Sequence, residues 1–200
     1  MRNAAAIVLL LAAAVHVSAF AEEAGPVSPQ EAEFNELAVQ YRMLYQQKQY
    51  PQAVTIAEQA LALAETIFGA DGEQAAQVLN DLGRLRQSQG EFDLAERLHQ
   101  RALAIREKVF NADGPAVVQS LNNLAKVRQA QGRYAEAESL FKRSVAIAEQ
   151  HVAPTDPYLA MVLEQYAACL RSGGDTAEAE AVEARIKSMR SAERHGGPAD

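Results

Sequence analysis

The sequence predicts an all-α fold, a solenoid of about four antiparallel helix hairpins, and three observations carry that prediction. Residues recur at an interval of 42: Tyr50, Phe92 and Tyr134 stand that far apart, as do Ala53, Ala95, Ala137 and Ala179. A fixed period of this kind marks one supersecondary unit stacked several times. Within each period the apolar residues step by three or four, the spacing of an amphipathic helix. Glycine and proline punctuate those stretches at equivalent places, with Gly90, Gly132 and Gly174 in one position and Pro115 and Pro157 in another.

Residues 1–21 stand outside the register. Arg2 supplies a positive start, Ala4 to Val17 an apolar run, and Ala19-Phe20-Ala21 a small-x-small cleavage site, so this stretch reads as a secretory signal peptide cut before Glu22. An uncleaved membrane anchor is the alternative, disfavoured because the run is shorter than the roughly 20 residues that cross a bilayer. With no cysteine near the cut, lipid attachment is not available. The expectation is an exported protein with no membrane insertion after cleavage, periplasmic in a Gram-negative bacterium and otherwise secreted. Residues 22–30 read as a linker.

The formal charge of −7 becomes about −8 once Arg2 leaves with the leader. Such an acidic chain argues against nucleic acid or an anionic membrane as the main partner. The single cysteine, Cys169, has no internal disulfide partner and sits among small residues in a helical pattern, which points to a buried structural thiol.

The solenoid is expected over residues 31–190, as helix pairs 31–47 with 51–68, 73–89 with 92–110, 115–131 with 134–151, and 157–172 with 176–190. In the second pair, Ala76, Leu79, Leu82 and Leu85 line one face of the first helix. Gly90 then stops it, because glycine readily takes the left-handed conformation at a helix end. Leu94, Ala95, Leu98, Ala102, Ile105 and Val109 form the apolar side of the second helix. Asn111-Ala112-Asp113-Gly114-Pro115 closes the pair, and Asp156-Pro157 plays the same part later as N-cap and first-turn residue. The small side chains Ala53, Ala95, Ala137 and Ala179, with Gly83, Ala125 and Ala167 on the first helices, fall where a larger one would push two helices apart. In the fourth pair Thr176 replaces the aromatic residue and Glu183 and Arg185 make the last helix more polar, as a capping unit facing water should be. Residues 191–200 lack periodicity and are expected to be a disordered tail.

The segments Gly132-Arg133-Tyr134-Ala135-Glu136-Ala137-Glu138, Gly90-Glu91-Phe92-Asp93-Leu94-Ala95-Glu96 and Leu121-Asn122-Asn123-Leu124-Ala125 resemble the tetratricopeptide repeat, in its longer kinesin-light-chain form. The resemblance implies a right-handed superhelix whose concave groove, lined by the first helix of each pair, receives a peptide or partner helix. Carried over, the groove register would hold Arg42 and Tyr45; Gln77, Asn80, Arg84 and Gln87; Gln119, Asn122, Lys126 and Gln129; and Met161, Glu164 and Arg171. Ala38 stands where the family members that clamp a C-terminal carboxylate need a lysine, so a receptor for chaperone tails is not expected.

Arg42, Arg84 and Lys126 stand 42 apart and form a basic ladder, which reads either as a ligand-facing stripe favouring an acidic peptide or as an ordinary solvated face. The amides Gln77, Asn80, Gln87, Gln119, Asn122 and Gln129 carry both donors and acceptors. They read either as contacts for an extended ligand or as bonds between repeats. His99 aligns with Ala57 and Phe141, interior positions, and is expected to be partly buried. No nucleophile motif, phosphate loop or metal-ligand spacing is present, so the sequence predicts no catalysis, no cofactor and no metal. The functional expectation is an exported scaffold for a protein or peptide partner of acidic character. Self-association through the end repeats, giving a homo-oligomer, and an accessory role in an envelope enzyme complex are the alternatives.

Overall fold

A computed structural model of the protein describes residues 28–195. The predicted leader, residues 22–27 of the predicted linker and residues 196–200 of the predicted tail lie outside the described residues. Eight helices and no strand occur among those described: α1 Pro29–Gln46, α2 Tyr50–Phe68, α3 Glu73–Ser88, α4 Phe92–Phe110, α5 Pro115–Ala130, α6 Tyr134–His151, α7 Pro157–Gly173 and α8 Thr176–His195. None of them is long and apolar enough to cross a membrane.

Two boundaries differ from the sequence expectation by more than one residue. α1 starts at Pro29, inside the predicted linker, because Ser28 and Glu31 form a reciprocal capping box and proline is pre-set for the first turn. α8 runs on to His195 instead of ending at residue 190, so the first half of the predicted tail is helical. Nothing in Ser191-Ala192-Glu193-Arg194 breaks a helix, and the glycines come only afterwards.

One turn joins the helices of every pair. Gly90, Gly132 and Gly174 take positive φ of 79°, 76° and 91°, and Lys48 takes the equivalent place in the first pair at 60°. The next amide then reaches back to the carbonyl five residues earlier: Gln49 to Leu44, Glu91 to Arg86, Arg133 to Arg128 and Asp175 to Leu170, all at 2.9–3.0 Å. This satisfies carbonyls that the helix end leaves open.

Consecutive helices pack along the whole chain, and α3 also meets α5, as α5 meets α7. The first helices of the pairs therefore form the inner layer and the second helices the outer one. The joints are built from the predicted small residues: Ala53, Ala95, Ala137 and Ala179 are completely buried, and a Cβ on Gly83 would lie 2.6 Å from the His99 ring. His99 is fully buried against that notch, deeper than expected. Three ion pairs repeat along the outer layer, Glu65–Arg101, Glu107–Arg143 and Glu149–Arg185, each at 2.6 Å.

Candidate functional site: a polar trough on the inner layer

Two hollows open on the inner layer. The first, of about 330 Å³, lies between Tyr41, Arg42 and Tyr45 of α1, Asp81 and Arg84 of α3, and Gln119 of α5. The second, of about 530 Å³, is bounded by Gln77, Arg106, Asn122, Asn123, Lys126 and Met161, among others. Gln77 and Gln119 border both, so the two form one trough running from α1 to α7.

Asp81 sits at the floor of the first hollow. It accepts from the Tyr41 hydroxyl at 2.8 Å and from Gln77 Nε2 at 3.3 Å. The guanidinium groups of Arg42 and Arg84 flank it at 3.5 and 3.6 Å, both half-exposed. Burial, then the neighbouring Asp81 charge, holds the Tyr41 phenol far above its usual range, so it remains a donor to that carboxylate. Arg84 also lies 5.0 Å above the Tyr45 ring and Arg42 5.5 Å above the Tyr41 ring, cation–π contacts that steady both cations at the rim.

The second hollow has a different charge balance. Arg106 reaches through from α4 and is only 4% exposed. Its Nη1 donates to Gln119 Oε1 and Ser120 Oγ, both at 2.9 Å, and its Nη2 to Gln77 Oε1 at 2.8 Å. Lys126 is half-buried on the same wall, and burial followed by the Arg84 charge lowers its pKa from the ordinary lysine value. Among the described residues no carboxylate lies within 4.0 Å of either cation. Arg106 and Lys126 thus carry positive charge not cancelled at contact distance, while Glu73 also lines the second hollow and Asp81 is shared by Arg42 and Arg84 in the first.

Arg42, Tyr45, Gln77, Arg84, Gln119 and Lys126 all line this trough, as the groove register implies. Asn80 does not. It is 0% exposed, and its Oδ1 accepts from Asn123 Nδ2 at 2.7 Å, a bond between repeats. Asn122 is buried and does both: its Oδ1 accepts from Ser144 Oγ of α6 at 2.5 Å, and it lines the second hollow. Gln87 and Gln129 border neither hollow, and Gln129 instead donates to Ser172 Oγ of α7 at 3.0 Å. The amides at the buried positions took the structural role because an amide hidden from water must find its partner inside the protein.

Sequence reasoning missed Tyr41, Asp81 and Arg106. Asp81 has Asn123 and Gln165 as its counterparts one and two repeats on, and Arg106 has Ala64 and Ala148 on either side. Both were visible as breaks in the register, a charge at a position that is neutral in the neighbouring repeats. Cys169 is buried, and burial raises its thiol pKa, which leaves it inert as expected of a structural cysteine. No group of three or more His, Cys, Asp or Glu side chains that could hold a metal occurs among the described residues.

The fold is shared with solved structures. BtubC (BKLC) from P. vanneervenii superposes with a TM-score of 0.75 at 19% identity, covering 90% of this chain and 72% of that one. A chain described as a putative kinesin light chain from Podosopora anserina, with nearly identical TPR-like repeats, gives 0.71 at 21% identity, covering 90% and 84%. A single-substitution variant of that Podosopora chain gives 0.74 at 19% identity, with the same coverage. A comparison with curated proteins found no match. The family model for the tetratricopeptide repeat matches three overlapping windows, residues 42–108, 77–150 and 116–191. Stacked 42-residue hairpins joined by one repeated turn, and a family model that matches across three successive windows, lead to one conclusion: the chain belongs to the tetratricopeptide repeat family.

Proposed function

We propose that this protein is a non-catalytic interaction scaffold that receives an extended peptide or partner helix, carrying acidic side chains, in the trough formed by α1, α3, α5 and α7. Tetratricopeptide repeats are typically protein–protein interaction scaffolds, and that coarse role comes with the family. The observation that carries the finer reading is the trough itself, in which Arg42, Arg84 and Lys126 stand in line and Arg106 and Lys126 lack a carboxylate at contact distance. A cationic, concave surface on an acidic protein steers and holds anionic segments.

The charged start, apolar run and small-x-small site within residues 1–21 support export, to the periplasm in a Gram-negative host. Cell fractionation tests that part, with a cytoplasmic full-length protein as the contrary result.

The binding part is tested by crosslinking capture with the wild type beside the Arg84→Glu, Lys126→Glu double mutant. Partners that drop by about tenfold or more in the mutant, with helicity intact by circular dichroism, are the expected outcome. Equal capture by both proteins would move the contact surface away from the trough. A second reading, self-association, is favoured by one observation: Val39 and Met43 on α1 are 56% and 54% exposed, though their counterparts Asp81 and Leu85 on α3 are buried by the preceding pair. A mass in light scattering that rises with concentration would support it.

A further inference from the structure

We infer that Arg106 sets the hydrogen-bonding polarity of the trough, fixing Gln77 and Gln119 as donors so that the site prefers carboxylates to amides on its ligand. The inference rests on the trough being the binding surface, as proposed above.

A glutamine side chain offers an acceptor oxygen and a donor nitrogen and can present either, so its orientation is decided by its partners. Arginine has donors only. Arg106 Nη2 reaches Gln77 Oε1 at 2.8 Å and Nη1 reaches Gln119 Oε1 at 2.9 Å, so both oxygens are turned toward the guanidinium. Flipping either amide would set N–H against N–H and forfeit a charge-assisted bond. The Nε2 groups are consequently left on the other branch of each amide. That of Gln77 makes one long bond, 3.3 Å to Asp81, and that of exposed Gln119 has no partner among the described residues. Gln77 and Gln119 are the two residues common to both hollows, so this donor pair stands at the middle of the trough.

The repeat does not need this arginine. Its counterparts Ala64 and Ala148 are buried alanines in the same outer-layer register. Arg106 has instead been placed 4% exposed, hydrogen-bonded to neutral oxygens, with Glu73 and Asp81 acting on it only from beyond contact distance. A buried cation without a contacting anion is costly to hold. An incoming carboxylate that accepts from the outward amides would relieve that cost, whereas a neutral amide would not. Arg106 is therefore a positioning residue: it acts through Gln77 and Gln119, and its charge adds to that of Lys126 in the second hollow and of Arg84 in the first.

The test uses the full chain and two labelled decapeptides, one alternating glutamate with glycine and one alternating glutamine with glycine, with binding read by fluorescence anisotropy. The wild type should bind the glutamate peptide at least about tenfold more tightly than the glutamine peptide. Arg106→Met should lower that ratio several-fold, the remainder coming from Arg42, Arg84 and Lys126, and Arg106→Lys should restore part of it, because charge returns without the fork that orients both amides. A purely structural role would lower the affinity for both peptides and leave the ratio alone. Should Arg106→Met lose its helical circular dichroism, Gln119→Met decides: the position is exposed, and removing the donor branch without adding charge should lower the ratio several-fold. An unchanged ratio in the folded variants overturns this inference while leaving the trough as the binding surface, provided Arg84→Glu with Lys126→Glu still weakens peptide binding. A wild type that shows no preference between the peptides overturns it as well, and the crosslinking capture above then judges the trough independently.

Discussion

At the residue scale, two side chains sit in places that the repeat normally gives to others. Lys48 holds a φ of 60° where the other three pairs have glycine. A left-handed conformation costs an L-residue with a Cβ roughly 1–2 kcal/mol, partly offset by the freedom glycine would lose on folding. Lys48→Gly should therefore raise stability by about 0.5–1 kcal/mol, seen as a higher urea midpoint with an unchanged slope. A lower midpoint would mean that the lysine is held by contacts outweighing its backbone.

His99 is the other. Its ring fills the notch at Gly83, neither ring nitrogen has a hydrogen-bond partner, and burial followed by the Arg84 and Arg106 charges pulls its pKa from 6.5 down to about 4. The folded pKa lies below the unfolded one, so the contribution of neutral His99 is complete above about 6.5 and is lost as the pH falls from there toward 4. The full loss is on the order of 3 kcal/mol. His99→Phe, copying the counterpart Phe141, should flatten that part of the stability profile, measured by urea unfolding between pH 7 and 4. Parallel profiles for the two proteins would show that other groups cause the acid loss.

At the element scale, the outer helices are linked by the pairs Glu65–Arg101, Glu107–Arg143 and Glu149–Arg185, and the series stops where Gln59 and Ser191 replace the next arginine and the next glutamate. Arg143 also donates to the Ala112 carbonyl at 2.7 Å, tying the wide turn after α4 to α6. The pairs are partly exposed, where an ion pair contributes about 0.2–1 kcal/mol. Arg143→Ala should cost about 1 kcal/mol in thermal or urea unfolding, and less in high salt. A cost several-fold larger would assign the turn contact the greater share. The ladder was legible in the 42-residue register, since both members repeat at that interval, yet pairing them required knowing which helices lie side by side.

At the scale of the whole molecule, α8 packs extensively on α7 alone and α1 on α2 alone, while the central helices have neighbours on both sides. Stability in such an array is close to a sum of nearest-neighbour terms, so the ends open first. Hydrogen exchange should show α1 and α8 exchanging well before α3 to α6; uniform protection would instead indicate that the four pairs open as one unit. The same one-dimensional build explains why the trough spans several pairs, and why reversing charge on two of them, at Arg84 and Lys126, is expected to weaken binding without unfolding the chain.

Helix number, order, turns and joints were legible in the sequence because they are local: a three-to-four spacing makes a helix, glycine ends it, and small residues at a fixed interval let the next one approach. The line of Arg42, Arg84 and Lys126 followed from the same interval. The tertiary structure alone decided which polar residues face the trough. Asn80 shares the period of the trough residues but lines neither hollow, bonding instead to Asn123, whereas its counterpart Asn122 lines the second hollow while bonding to Ser144. Arg106 enters the trough from a position that the register assigns to the outer layer, and only the packed helices bring Gln77 and Gln119 within reach of it and Tyr41 within reach of Asp81. Periodicity reports what each repeat has in common. Charge placement depends on where the repeats differ and on distances between segments far apart in the chain, which the packing of the helices fixes.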